Sequence, residues 1–296
     1  MGVRRGKINH IGDGALAFDT GVFYSIRHER EMTTMRVTDE QQNVARAFVA
    51  ARAKKTPLTV YPGAVPQTMA DAYAIQDAAI ALDGRRVGGW KVGRIAPDLV
   101  DRYGGNRLTG PIFADEIVDA RDGHVPAMGV YAGGFAAAEA EVLLCFGEVA
   151  ERDYDIDSVR NCISEIRTGI EIASSPFAGI NAHGPAVTAS DYGNNKGLVL
   201  GPPIAGWRTI DLTGMPVEFL IDGACVGAAS MATMLDGPFG SALFLIRTLR
   251  ARGIAIPPGT WLSAGAITGV HEIAAGQRAD ARFGGTISVA CTVTHL

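Results

Sequence analysis

Beyond about Gly110 the chain is written as short apolar runs broken by glycine and proline, and this punctuation constrains the fold more than anything else in its 296 residues. The runs at 142–146, 169–172, 198–200, 217–223 and 286–293 are rich in Val, Ile, Leu and Phe, and their length suits strands better than helices. The 37 Gly and 14 Pro supply turns between them, which favours a mostly β, α+β chain over a helical bundle.

Helices are expected at three places. Thr38-Asp39-Glu40-Gln41 is a capping box, and Val44, Phe48 and Val49 continue it at helical spacing until Thr56-Pro57, which predicts about four turns. Thr68-Met69-Ala70-Asp71 repeats the cap ahead of Ala72, Ile75, Ala79 and Leu82, and Gly84 stops it. A late helix runs from about Gly240 to Gly253, and the first strand is expected at 87–92. Residues 1–35 read as an irregular, glycine-rich tail, with Met32 and Met35 as alternative starts. The expected organisation is that tail, a small α/β region over 36–105, and a β-rich catalytic domain over 106–296.

Several function classes are disfavoured. The 27 Lys+Arg against 31 Asp+Glu give a formal charge of −4, so no nucleic-acid partner is expected. Apolar runs fall far short of the ~20 residues that span a membrane, and no export segment opens the chain, so no membrane partner is expected either. Cys145, Cys162, Cys225 and Cys291 lie far apart, which suits a reduced cytoplasmic setting. There is no Gly-x-Ser-x-Gly elbow, Walker lysine, dinucleotide fingerprint or His-Glu-x-x-His, and the six histidines are scattered.

What remains is a set of acids where apolar residues belong. Glu139 and Glu141 lead directly into the run 142–146, and on a strand residues i and i+2 share a face, with Cα atoms roughly 6.5 to 7 Å apart. A third acid, Glu171, stands inside the run 169–172. Buried carboxylates cost several kcal/mol each, so such a trio calls either for a cation or for the wet face of an amphipathic sheet. Oxygen-only ligation would select Mg²⁺ or Mn²⁺ over zinc. Lys91, between Gly89 and Gly93, is the second oddity: either a snorkelling surface lysine, or a semi-buried one that balances the acids, orients a substrate carboxylate or moves a proton.

Gly89-Trp90-Lys91-Val92-Gly93, Gly110-Pro111-Ile112-Phe113-Ala114-Asp115, Glu139-Ala140-Glu141, Ile170-Glu171-Ile172-Ala173-Ser174-Ser175, Gly197-Leu198-Val199-Leu200-Gly201 and Ala264-Gly265-Ala266 follow one another in a telling order. From roughly residue 37 to 293 the chain resembles the 2-keto-4-pentenoate hydratase branch of the fumarylacetoacetate hydrolase superfamily. The resemblance implies a mixed β-sandwich roll with a small N-terminal α/β region. It also implies Mg²⁺ or Mn²⁺ held by Glu139, Glu141 and Glu171, Lys91 as the active-site lysine, and substrate contact at Ile112, Phe113 and Asn195. In such hydratases the metal stabilises the enolate of a small 2-hydroxydienoate or 2-oxo acid as a Lewis acid while water adds. A homo-oligomer is expected because relatives commonly form one.

Two positions depart from the pattern. Leu108 stands where the hydratases carry an Asp, and Asn195 where they carry a Ser, so a proton-transfer carboxylate is missing and the amide can hydrogen-bond but not transfer a proton. Hydration leads the expected reactions, in the catabolism of aromatic or related compounds. Decarboxylation of the oxalocrotonate type follows, needing the same enolate but no water. Acylpyruvate C–C hydrolysis ranks third, since no His-Glu pair stands in the N-terminal region. A catalytically silent metal and 2-oxo-acid binding protein is the alternative from another class.

Overall fold

The structure, a computed structural model, describes residues 37–296; the tail expected over 1–35 lies outside the described residues. Its helices are α1 (Asp39–Lys54), α2 (Met69–Asp83), α3 (Val100–Tyr103), α4 (Pro185–Ser190) and α5 (Gly237–Ala251). Its strands are β1 (Val87–Arg94), β2 (Arg107–Phe113), β3 (Ile117–Asp119), β4 (Ala127–Val130), β5 (Phe135–Phe146), β6 (Ile163–Ser175), β7 (Asn195–Pro203), β8 (Pro216–Ile221), β9 (Ala224–Ser230), β10 (Trp261–Ser263), β11 (His271–Glu272), β12 (Arg278–Phe283) and β13 (Ile287–His295).

The two early helices start where their caps say. The Gln41 amide donates to Thr38 Oγ1 at 3.2 Å and the Thr38 amide to Gln41 Oε1 at 3.0 Å, closing the capping box of α1. Thr68 caps α2, which ends at Gly84 with a left-handed φ of 71°. α5 begins at Gly237, slightly before the apolar spacing suggests, because Pro238 is preorganised for a first turn. Among the described residues no helix is long and apolar enough to cross a membrane.

An eight-stranded sheet runs β2-β1-β10-β5-β6-β7-β3, with β11 added on β5; a five-stranded sheet runs β4-β13-β12-β8-β9. The two share one core. Even-numbered residues of β5 and β6, among them Val142, Leu144, Ile170 and Ile172, pack in one cluster with Val217, Phe219, Ala281 and Val293 of the smaller sheet. Each Val, Leu, Ile or Phe among them contributes about 1.5 to 3 kcal/mol by leaving water.

The odd-numbered faces of β5 and β6 are not wet. Leu143, Leu198, Leu200 and Ile112 form a separate apolar cluster there, and a third, between the early helices and the sheet, joins Val44, Phe48 and Ile75 to Phe113 and Tyr192. Both faces of the middle strands are thus covered, so β5 and β6 are buried along almost their whole length, polar residues included. The acids on the odd face are enclosed with them.

Candidate metal centre

Register brings the predicted trio together. In the antiparallel β5–β6 pair Glu139 lies opposite Glu171 and Glu141 opposite Gly169. Gly169 admits no side chain: a Cβ there would stand 2.1 Å from Leu143 Cδ1. On the other side of β5, the Ser263–Leu143 pairing puts Ser263 on the glutamate face, and β10 pairs Ser263 in turn with Lys91 of β1. Four strands therefore point Lys91, Ser263, Glu139, Glu141 and Glu171 at one spot.

The wet-face alternative fails on burial: Glu139, Glu141 and Glu171 are 4 %, 0 % and 0 % exposed. One oxygen from each lies within 4.8 Å of the others. Ser263 Oγ and the Gly265 amide donate to Glu141 Oε2 at 2.6 and 2.8 Å. Asn195 Nδ2 donates to Glu171 Oε1 at 3.0 Å, and Lys91 Nζ lies 3.2 Å from the same oxygen. Glu141 Oε1 and Glu171 Oε2 are buried without a hydrogen-bond partner. Native interiors rarely leave such atoms unmatched, and here they belong to two acids of one convergent cluster.

Electrostatics follow from this crowding. Burial pushes the Glu139 carboxyl up to about 7, with Lys91 pulling against it and Glu171 adding to it. Burial, then Glu171 and Glu139, raise Glu141 well above the ordinary carboxylate range. For Lys91, burial opposes the charge, but the three carboxylates, Glu171 foremost, outweigh it and hold the ammonium above its usual range. The snorkelling alternative does not apply, since Lys91 is 6 % exposed. With the acids ionised and the lysine charged the cluster carries −2, the charge one divalent ion neutralises.

Lys91 and Glu139 of this cluster line a cavity of about 750 Å³, with Arg107, Leu108, Asn194 and Gly265 around them, while Glu141 and Glu171 are not part of its lining. Among the described residues Glu139 is the one carboxylate in that lining. Leu108 reaches the cavity next to β1, as the register partner of Gly93, and brings no proton-carrying group. Arg107 is fixed at the rim by the Leu235 carbonyl and by Asp236 Oδ2 at 3.3 Å.

The other predicted contacts fall elsewhere. Ile112 is in the apolar cluster with Leu143, and Phe113 stacks edge-on against Tyr192 at 5.1 Å; neither lines the cavity. Asn195 touches Glu171 and is not in the cavity lining, whereas its neighbour Asn194 is. Sequence reasoning did not single out Ser263, Asn194, Arg107, Arg52 or Asp191. Ser263 adjoins the Ala264-Gly265-Ala266 motif and was within reach; Arg52, which donates to the Asn195 carbonyl behind the site, comes from a helix far away in sequence, with no local signal.

No protein-family model matches the chain. Solved structures do. 4-Oxalocrotonate decarboxylase from Pseudomonas putida G7, complexed with magnesium and adipate, superposes with a TM-score of 0.71 at 19 % identity, over 86 % of this chain and 97 % of that one. Fumarylpyruvate hydrolase from Pseudomonas aeruginosa, in complex with Mn²⁺ and pyruvate, gives 0.55 at 14 %, over 72 % and 91 %. 5-Carboxymethyl-2-hydroxymuconate delta-isomerase from Mycobacterium smegmatis gives 0.51 at 15 %, over 71 % and 80 %. At these identities the likeness is one of fold, and the chain has the mixed, mostly β fold of the fumarylacetoacetate hydrolase superfamily.

Proposed function

We propose that the protein is a divalent-metal-dependent lyase acting on a small 2-oxo or 2-hydroxydienoic acid. The observation that carries this is the buried trio Glu139, Glu141 and Glu171, two of whose oxygens lack any hydrogen-bond partner and one of whose members, Glu139, lines a cavity beside a charged lysine. Mg²⁺ or Mn²⁺ suits an all-oxygen donor set, and magnesium and manganese accompany two of the structures with this fold. When bound there, such an ion supplies Lewis acidity toward the oxygens of a 2-oxo acid.

The protein's own residues would do the rest. Lys91, raised above its usual range and beside Glu171, stays protonated and offers a fixed positive charge to a substrate carboxylate or to negative charge developing on its 2-oxygen. Ser263 and the Gly265 amide hold Glu141 in place, and Asn195 holds Glu171. The burial of the trio keeps bulk water from screening these charges.

Hydration, the reaction the family pattern puts first, needs a group that delivers protons as water adds. Leu108 gives none and no other carboxylate but Glu139 lines the cavity among the described residues, so decarboxylation, which needs no attacking water to be activated and only one proton to quench the enolate left by carbon dioxide, is the lyase reaction this cavity supports best. The decarboxylase among the structural neighbours is in keeping with it. Purified protein with Mn²⁺ and a panel of 2-oxo acids tests both steps. Carbon dioxide release identifies a decarboxylase, a hydroxy acid identifies a hydratase, and no turnover of any panel member rejects the lyase reading.

A further inference from the structure

Asn195 should not face Glu171. The β6–β7 pairs run Glu171–Leu198 and Ile172–Gly197, so unbroken register would pair Asn195 with Ser174, on the opposite face of the sheet. The next observed pair is instead Ala173–Asn195, which leaves Lys196 as one extra residue in β7. That bulge reverses the side-chain alternation and puts Asn195 on the glutamate face, within 3.0 Å of Glu171 Oε1. Gly197 beside it has a φ of 155°, and a Cβ there would stand 3.0 Å from the Glu116 carbonyl oxygen and 2.7 Å from Met128 Cε.

The bulge is held from both sides. Lys196 Nζ bonds Glu116 Oε1 at 2.7 Å. On the other side Arg52 of α1 donates from Nη1 to the Asn195 carbonyl at 3.1 Å, while Nε and Nη2 grip Asp191 Oδ1 and Oδ2 at 2.5 and 2.9 Å. Arg52 Nη2 also reaches the Ser174 carbonyl at 3.3 Å, and Ser175 Oγ donates to Asp191 Oδ2 at 2.6 Å, so the pair spans β6 and β7. Arg52 and Asp191 are 6 % and 1 % exposed. A bidentate pair this deep is costly to bury, and an apolar pair would fill the space as well. What apolar residues cannot do is hold the Asn195 carbonyl.

We propose that the Arg52–Asp191 pair is a positioning device for Glu171, acting through Asn195, which it fixes so that the amide aims one carboxylate oxygen and leaves the other free for a cation. This rests on the reading of the glutamates as a metal centre. Arg52 touches neither cation nor substrate; it acts on the metal centre at one remove.

Mn²⁺ affinity, measured by titration calorimetry, tests it through a double-mutant cycle. Asn195→Ala and Arg52→Lys should each weaken Mn²⁺ roughly 10- to 100-fold, the scale for loss of a partner behind a metal ligand. The double variant should bind no worse than Arg52→Lys alone, because both changes break one chain of contacts. Should Arg52→Lys not fold, Asp191→Asn takes its place in the cycle; if neither folds, the pair is a stability element and the positioning role is rejected. Losses that multiply in the double variant, or an Arg52→Lys protein with wild-type affinity, overturn the proposal while leaving the metal centre intact. A wild-type protein that takes up no Mn²⁺ overturns both.

Discussion

Glu139 and Glu171 face each other as register partners across β5 and β6, both buried. Like charges placed directly opposite destabilise a sheet, and burial deepens the cost, so on the proposed metal reading this pair is a place where the fold gives up stability to hold an ion. Glu139→Gln should therefore act in two directions. Mn²⁺ binding falls by at least about 10-fold, while the metal-free protein melts higher than wild type because one buried charge is gone. Calorimetric titration and thermal melts check the two arms; a variant that binds Mn²⁺ like wild type moves the ion elsewhere.

The same crowding sets a pH dependence. The folded Glu139 titrates at about 7 against an ordinary value of 4.5, so between those limits the folded metal-free protein holds a proton that the unfolded chain has released. Its stability should then fall as pH rises through that window, with Glu141 pushing the same way. Because a divalent ion needs ionised carboxylates, the rise in melting temperature on adding Mn²⁺ should grow as pH rises from about 4.5 to about 7. Melts across that range, with and without Mn²⁺, decide it; an Mn²⁺ effect that shrinks with pH contradicts the picture.

Lys91 separates charge balance from chemistry. Lys91→Met leaves the three carboxylates in place, so Mn²⁺ should still bind, whereas turnover should drop by about 10² or more, the usual scale for one acid–base or electrostatic group. Loss of both together would make the lysine a structural counter-ion.

Leu108 offers a gain-of-function test. Leu108→Asp puts a carboxyl at the cavity wall, and if its absence is what holds back water addition, the hydroxy acid yield from 2-hydroxypentadienoate should rise above wild type. Brisk wild-type hydration that the substitution fails to improve would show that another group carries the proton.

Much of the fold and the acid trio were legible because their signals are local: a capping box at Thr38 for the first helix, an apolar run from Val142, an acid pair two residues apart. That the two faces of β5 are both covered was not legible, since whether an alternating strand is wet depends on what packs on it. The substrate contacts read at Ile112 and Phe113 sit in apolar clusters away from the cavity, and Arg107, one residue before Leu108, reaches it from the rim. A short motif fixes which strand meets the site but not which of its residues turn inward.

The extra residue at Lys196 has a consequence for how such a site is inherited. Nothing about the identity of position 196 turns Asn195 toward Glu171; the number of residues between Asn195 and Leu198 does. Loss of one codon there would leave every side chain of the centre unchanged in kind and turn one of them to the wrong side. Part of this centre is thus spelled in chain length, where a scan of substitutions would pass over it and a single deletion would find it at once.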